Sequence, residues 1–416
     1  MKGYSARAEK IMARIEELAS ISETEQGITR TFGSAAWREA ALTIQSWMQD
    51  AGLHAWIDNI GNVRGLLKSQ LPGAKTLVIA SHMDTVVNAG KFDGPLGVVM
   101  GLDLLEQLPH PHTALPFNIA LVAFSDEEGC RFHTTYLGSK VLAGAFEPAL
   151  LDKRDTAGIP LRNVVHANGS STELLKADAI AATDWLGYFE IHIEQGPVLY
   201  DRNIPVAIVT AIAGQKRAEI TFEGIAGHAG TVPMDMRNDA LCCAAEFILA
   251  VESTALRYKT QIVATVGKLQ VTNAASNVIP GAITCTLDLR SADARMLSEV
   301  YETLQRTAAA ICGRRNITFD WTAVQETSPV TCDPALSTVL AGSVKEAGYE
   351  LLELVSGAGH DAVAIAAVAP VCMLFVRCYK GISHNPLENV ELKDMAAALQ
   401  VADNFLQQMI HQHNQP

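Results

Sequence analysis

Short, nearly unbroken apolar runs set the strongest limit on what this chain can fold into: TLVIAS at 76–81, NIALVAFS at 118–125, YFEIHI at 188–193 and CMLFV at 372–376. Runs of this length bounded by polar residues read as strands, and they are far too short to cross a bilayer. Helical patterns lie between them. Residues 35–51 carry Trp37, Ala40, Ile44 and Trp47 on one face, and further helices are expected near 95–107, 334–347 and 393–410. Strand, helix, strand in that order predicts an α/β sheet whose functional residues stand at strand ends and in the loops that follow.

From about Gly214 the texture changes. KRAEITFEG, QIVATVGKLQV and AITCTLDLR alternate like half-exposed strands, and two helices, about 236–256 and 292–312, separate them. This βαββαβ-like order predicts a separate α+β sandwich of a four-stranded sheet and two helices. After Pro329 the α/β texture returns. The expected organisation is a mixed-sheet α/β domain built from 1–212 and 331–416, with a smaller α+β domain, 213–330, inserted into it.

Two domains also suit a chain of 416 residues. Its 45 acidic against 32 basic side chains, a formal charge of -13, argue against nucleic acid or an anionic membrane surface as a partner. The N-terminus, MKGYSARAEKIMARIEELAS, offers an amphipathic stripe of Ile11, Ile15 and Leu18 with Met12 beside them, not the apolar core of a signal peptide. A cytoplasmic protein is expected. Eight cysteines without a CxxC pair then read as reduced thiols. Cys130 follows an acidic cluster and is expected to be a packing residue, since no histidine partners it as a nucleophile would require.

Chemistry concentrates in five places. SHMDTV at 81–86 puts His82 at a strand end, with Asp84 two residues on, where a carboxylate can hold the second ring nitrogen of a metal-bound histidine. In KFDGPLG, Asp93 either caps the following helix or bridges two metal ions with its two oxygens. FSDEEGCRF sets Asp126, Glu127 and Glu128 in a row after an apolar strand, which is an ordinary acidic turn on a surface and a cation site in a cleft. FEIHIEQG places His192 in a strand beside Glu190, Glu194 and Gln195, and GISHNP places His384 in a loop. A core histidine and an exposed loop histidine are the plain alternatives. Taken together, three histidines and two acids match nitrogen and oxygen ligation by zinc, manganese or cobalt, with open positions for water and substrate.

With these motifs, and with GHAGTVPMDMR, ASNVIPG and SGAGHDA, the sequence resembles the di-metal aminoacylase/carboxypeptidase superfamily, peptidase family M20, over nearly its whole length. The resemblance is to the branch that cleaves N-carbamoyl and ureido compounds. It implies two divalent ions per subunit, Mn2+ or Zn2+ with Co2+ or Ni2+ as alternatives. His82 and His192 would bind one ion and Glu128 and His384 the other, with Asp93 as the bridge. In peptidase relatives an acid stands where His192 stands here. Glu127 would be the general base, taking a proton from water and passing it to the leaving nitrogen.

The likeness further implies that His228, from a partner subunit, stabilises the tetrahedral oxyanion; without it, His228 reads as a turn histidine between glycines. Asn277 and Arg290 would bind substrate, Arg290 by clasping a carboxylate. Gln195, Gln215 and the backbone of Gly357, Ala358 and Gly359 would complete the pocket, with His360 and Asp361 organising that last loop. The inserted domain would be a dimerisation and lid domain, making a homodimer with a shared active site. One departure stands out: Asn88-Ala89-Gly90 replaces a common Asn-Gly-Gly, which would constrain the loop if Ala89 needed positive φ.

The metal set does not choose among ureido substrates. FSDEEGCRFHTTYLGS and MLFVRCYKGISHNP look closest to allantoate deiminases of the plant type, so allantoate is the first expectation. N-carbamoyl-L-amino acids, or the substrate of a β-ureidopropionase, are the alternatives. A non-catalytic binding protein on the same fold is the reading from a different class.

Overall fold

Each apolar run becomes a strand of one mixed sheet. The computed structural model describes residues 2–108 and 115–414. It divides into two units, Met1–Thr210 with Cys332–Pro416, and Ala211–Thr331. In chain order the first contributes helices α1 (Lys2–Ala19) and α2 (Ala35–Asp50), strands β1 (His54–Ile57), β2 (Val63–Leu67) and β3 (Thr76–His82), helix α3 (Pro95–Glu106) and β4 (Asn118–Phe124). Short helices α4 (Leu137–Leu142) and α5 (Leu161–Ala167) follow, then β5 (Trp185–Ile193), α6 (Val198–Arg202) and β6 (Val206–Ile212). The second unit holds β7 (Gly214–Glu223), β8 (Gly227–His228), α7 (Ala240–Arg257), β9 (Val263–Thr265), β10 (Leu269–Val271), β11 (Val278–Ile279), β12 (Ala282–Ser291), α8 (Ala294–Arg315) and β13 (Thr318–Thr327). β14 (Val330–Thr331) ends the second unit, and the chain returns to the first through α9 (Pro334–Glu346), β15 (Glu353–Ser356), α10 (Ala362–Ile365), β16 (Val371–Val376) and α11 (Leu392–His413).

Among the described residues the larger sheet runs β1-β2-β4-β3-β5-β16-β6-β14, with β15 also paired to β6. Its centre, β4-β3-β5-β16, is parallel. The flanking pairs are antiparallel. Parallel strands are covered on both faces, which is why β3 and β16 are buried at every position. Helix α3, apolar all round, is buried from Pro95 to Leu105 and packs on β3, β4 and β5. Its one charged residue within that stretch, Asp103, accepts a 2.7 Å hydrogen bond from Arg7 Nε on α1. Arg7 also pairs with Asp403 on α11 and so ties three helices together.

In the second unit β12 alternates inward and outward along its whole length, turning Ile283, Cys285, Leu287 and Leu289 toward the core. Phe247 and Val251 of α7 and Leu297, Val300 and Leu304 of α8 fill that core. Asp239 and Asp293 cap the two helices, so α7 starts at Ala240 and not near 236.

The expected four-stranded sheet needs correction, because five described strands pair in it. QIVATVGKLQV is two strands. Thr265 lies opposite Asp288 and Leu269 opposite Cys285, so four steps on one side meet three on the other. The extra residue is a bulge. None of the described helices is long and apolar enough to cross a membrane.

Candidate metal centre

The four central parallel strands end side by side, and each delivers part of one cluster. His82 is the last residue of β3, and His192 stands one residue before the end of β5. The acidic run follows β4, and the loop carrying Ser383 and His384 follows β16. Asp93 lies on the turn between β3 and α3. It does not cap that helix: Gly94 occupies the cap position and makes no side-chain bond. Gly94 has φ +83°, and a Cβ there would fall 2.4 Å from Cε1 of His82, so only glycine lets this turn close on the imidazole.

Nδ1 of His82 lies 3.1 Å from the Asp84 carbonyl oxygen, and Nδ1 of His192 lies 2.9 Å from the Ile193 carbonyl oxygen. A carbonyl only accepts, so each Nδ1 carries a hydrogen, which leaves Nε2 as the ligand atom of the neutral ring. Those two Nε2 atoms are 3.4 Å apart. They stand 3.8 and 3.2 Å from Asp93 Oδ1, a buried oxygen without a well-aligned hydrogen-bond donor. Lone pairs converging in this way need a cation or a proton between them. Asp93 Oδ2 faces the other way, 3.1 Å from His384 Nε2, which is itself 3.4 Å from Glu128 Oε1. The donors therefore form two sets, His82–Asp93–His192 and Asp93–Glu128–His384, sharing one carboxylate. Their chemistry and spacing fit two divalent ions.

Charge follows geometry. Burial would raise the Asp93 carboxyl, but its close contacts with His192 and His384 outweigh it and hold Asp93 well below the usual carboxylate range. His384, whose side chain is about half exposed, is raised to about 10 by Asp93 and Glu128. Burial would lower His82, yet its contact with Asp84 lifts it well above the ordinary imidazole value. Glu127, almost fully buried, is pushed well above the glutamate range by burial and then by the Glu128 charge. A carboxylate with raised proton affinity beside such donors is suited to accept a proton from water.

Asp84 organises this corner. Its Oδ1 lies 3.4 Å from His82 Nδ1, and its two oxygens accept the Glu127 and Glu128 backbone N–H groups at 3.0 and 3.2 Å. Asp126 turns inward, and its Oδ1 accepts the Gly129 N–H. Glu194 accepts the Val198 and Leu199 N–H groups, both at 2.8 Å, and so holds α6 instead of facing the cluster. Gln195 does face it, donating to Asp93 Oδ2 at 2.9 Å. Both Gln195 and His384 adopt left-handed backbone, with φ 56° and 54°, a conformation that collects at functional sites. Ala89 does not need positive φ; Asn88 carries it, at 58°.

Behind His192 lies a buried polar layer. His360 packs edge-on against the His192 ring and shares a 2.7 Å contact with Ser356 Oγ. Ser356 also accepts the Ala358 N–H, closing the Gly357–Gly359 loop on itself. Glu190 accepts from Tyr188 at 2.7 Å, and Glu190, His192 and His360 form another group of metal-ligand type. Tyr136 hydrogen-bonds through its N–H to the Glu127 carbonyl, and its hydroxyl sits where a Cβ on Gly359 would be, 1.8 Å away. At Cys130, burial and the Glu128 charge push the thiol up to about 12, which disfavours the thiolate that a nucleophile needs.

Four further expected site residues belong to the second unit. Exposed His228 pairs across β8 and β11 with Val278, and Ala229 donates to the Asn277 carbonyl, so His228 and Asn277 are neighbours. His228 Nδ1 accepts the Gly230 N–H at 3.0 Å, which leaves Nε2 as the donor of the neutral ring. Gln215 lies opposite Arg290 in the β7–β12 ladder. Arg290 grips Asp288 with Nε at 2.8 Å and Nη2 at 2.9 Å, and Arg217 approaches the same carboxylate at 2.8 Å.

The sequence pattern of peptidase family M20/M25/M40 matches residues 78–408, a span containing every donor of the cluster. This chain belongs to that family. Its relatives within M20/M25/M40 include the protein named allantoate deiminase 2 of Glycine max, 38% identical over 437 aligned residues that cover 96% of this chain and 89% of the relative. The N-carbamoyl-L-amino acid amidohydrolase of Geobacillus stearothermophilus is 36% identical, covering 95% of this chain and 97% of the relative. The crystal structure of an amidase of the hydantoinase/carbamoylase family from Burkholderia multivorans superposes with a TM-score of 0.91 at 31% identity over 98% of both chains.

Within this M20/M25/M40 site three residues carry little signal in the sequence. Glu190 reads only as polar company for His192, although it is fully buried behind it. Tyr136 carried no signal beyond its place in a motif. Glu388, buried and bonded to the Asp93 loop, sits four residues past His384 in a stretch that reads as ordinary loop.

Proposed function

We propose that this protein is a metal-dependent amidohydrolase that cleaves a ureido C–N bond, with allantoate as its substrate. One observation carries the reading: imidazole and carboxylate donors from four adjacent parallel strands converge on the two oxygens of Asp93, with Glu127 beside them. His82, Asp93 and His192 would hold one divalent ion, and Asp93, Glu128 and His384 the other. When bound, the ions supply Lewis acidity, which brings water toward a pKa of roughly 7 and polarises the carbonyl.

The chain's own residues do the rest. Glu127 takes the proton from the attacking water and returns it to the nitrogen that leaves. Asp84 keeps His82 and the Glu127–Glu128 backbone in a fixed relation. The carbon–nitrogen bond breaks to an amine and a carbamate, and the carbamate decomposes to ammonia and carbon dioxide. His228 is assigned to the developing oxyanion, supported by an Nε2 that is free to carry the proton. Arg290 and Gln215 are assigned to the substrate carboxylate, supported by their cross-strand neighbourhood and by the planar donor fork that a guanidinium offers a carboxylate. Asn277, Gln195 and the Gly357–Gly359 backbone complete the proposed contacts.

The N-carbamoyl-L-amino acid amidohydrolase relative, matched over nearly its full length, supports a second reading in which the substrate is an N-carbamoyl-L-amino acid. The two are separated by kcat/KM for allantoate and for a panel of N-carbamoyl-L-amino acids, with manganese and with zinc. Preference for allantoate supports the first. Preference for a carbamoyl amino acid keeps the chemistry and replaces the substrate, and turnover that survives removal of metal contradicts both. We further assign the second unit to dimerisation. Apolar Leu249 and Leu256 of α7 and Val263 and Leu269 on the sheet edge are exposed, an arrangement that suits burial against a second copy.

A further inference from the structure

Glu388 touches none of the proposed donor atoms of the metal centre, yet it is bonded to two of the three loops that supply the second ion's site, those of Asp93 and His384. Its carboxylate is buried, 3% exposed. Oε1 accepts the backbone N–H of Phe92 at 2.7 Å and of Asp93 at 3.1 Å. Oε2 lies 3.1 Å from Ser383 Oγ, and the same hydroxyl is 3.1 Å from Asp93 Oδ2. A Cβ on Gly90 would stand 2.3 Å from Glu388 Cβ and 2.5 Å from Oε1. The carboxylate is thus inserted into the turn between Gly90 and Asp93, in a space that any larger residue at 90 would fill.

We propose that Glu388 is a positioning residue for the bridging carboxylate. It fixes the Asp93 backbone through two N–H groups and fixes the His384 loop through Ser383, so that Asp93 Oδ2 and His384 Nε2 are held facing one position. The inference rests on the reading of Asp93 and His384 as metal ligands. Oε1 is occupied by two N–H groups and Oε2 faces the Ser383 hydroxyl, so the part of Glu388 is to orient ligands and not to bind an ion. The Ser383 hydroxyl has one hydrogen and two carboxylate neighbours, Asp93 Oδ2 and Glu388 Oε2, so it donates to one of them at a time while lying between both.

The test is metal binding, read separately from activity. Manganese and zinc are titrated into chelator-treated full-length protein by calorimetry, and bound metal is counted by mass spectrometry. The proteins are wild type, Glu388→Asp, Glu388→Gln and Glu388→Ala. Outer partners of metal ligands contribute about 10–100-fold to affinity. Glu388→Asp, which retracts the carboxylate from the two N–H groups, is expected to lose that much at the weaker of the two positions. Glu388→Gln keeps an acceptor for both N–H groups and is expected to stay close to wild type. A packing role alone would lower the unfolding midpoint of the stripped protein and leave metal affinity unchanged. Wild-type affinity for both ions in Glu388→Asp and Glu388→Ala overturns the positioning role alone. Should Glu388→Ala fail to fold, Glu388→Asp decides by itself. A wild-type protein that binds neither ion overturns the metal centre, and this inference with it.

Discussion

His384 shows how a single side chain can be read from both directions. Its ring is held between Asp93 and Glu128, which raise it to about 10, far above an imidazole in water. A folded-state value above the unfolded one means the proton stabilises the stripped fold fully below about pH 6.5, and that this contribution fades as pH rises through about 10. On the proposed ligand set, metal competes with the same proton. Apparent affinity for the second ion should therefore weaken about tenfold for each pH unit below that value. Calorimetry in buffers of different ionisation enthalpy should register at least about one proton released as that position fills; release of none would contradict the assignment. At this scale the histidines were legible because each ends or follows an apolar run. Glu388 was not, because it acts through backbone N–H groups of residues nearly 300 positions away, which no local pattern records.

Among the elements, the loop between β16 and α11 carries Ser383, His384 and Glu388, and its base is closed by Arg377 and Asp394. Arg377 donates from Nε at 2.9 Å and from Nη2 at 2.6 Å to the two Asp394 oxygens, and both side chains are buried. Tyr379 N–H to the Asn389 carbonyl, at 2.7 Å, is a second tie across the same loop. Removing one partner of a buried pair strands the other, so Asp394→Ala should cost about 3–5 kcal/mol in denaturant unfolding. Metal affinity should fall with it as the His384 loop loosens, whereas a loss under about 1 kcal/mol would put the pair in the class of surface bridges.

The central strands could be anticipated because burial on both faces leaves a continuous apolar signature. QIVATVGKLQV misled for the opposite reason. Val263 and Leu269 keep the alternation of a strand while lying exposed on a sheet edge, and the bulge between them interrupts the ladder without interrupting the pattern. Helix starts at Asp239 and Asp293 were set by capping chemistry, which shifts a boundary by a few residues against the apolar periodicity.

For the whole molecule, an acidic chain with an exposed apolar edge on its second unit is expected to pair with a copy of itself through that edge. A Val263→Arg, Leu256→Glu double variant should sediment as monomer where the wild type sediments as dimer. If His228 serves a neighbouring subunit's substrate, the monomer should also lose turnover while keeping both metal ions; a fully active monomer would remove His228 from that role.

The central claim is that the acidic run after β4 supplies the base of a metal-assisted ureido hydrolysis, and Glu127→Gln tests it most directly. Ammonia release from allantoate and from N-carbamoyl-L-amino acids is measured for the manganese-loaded wild type and for this variant, with bound metal counted in both. The account predicts unchanged metal content and a fall in kcat of about 10²–10⁴. Equal turnover in the two proteins, at equal metal content, would contradict it.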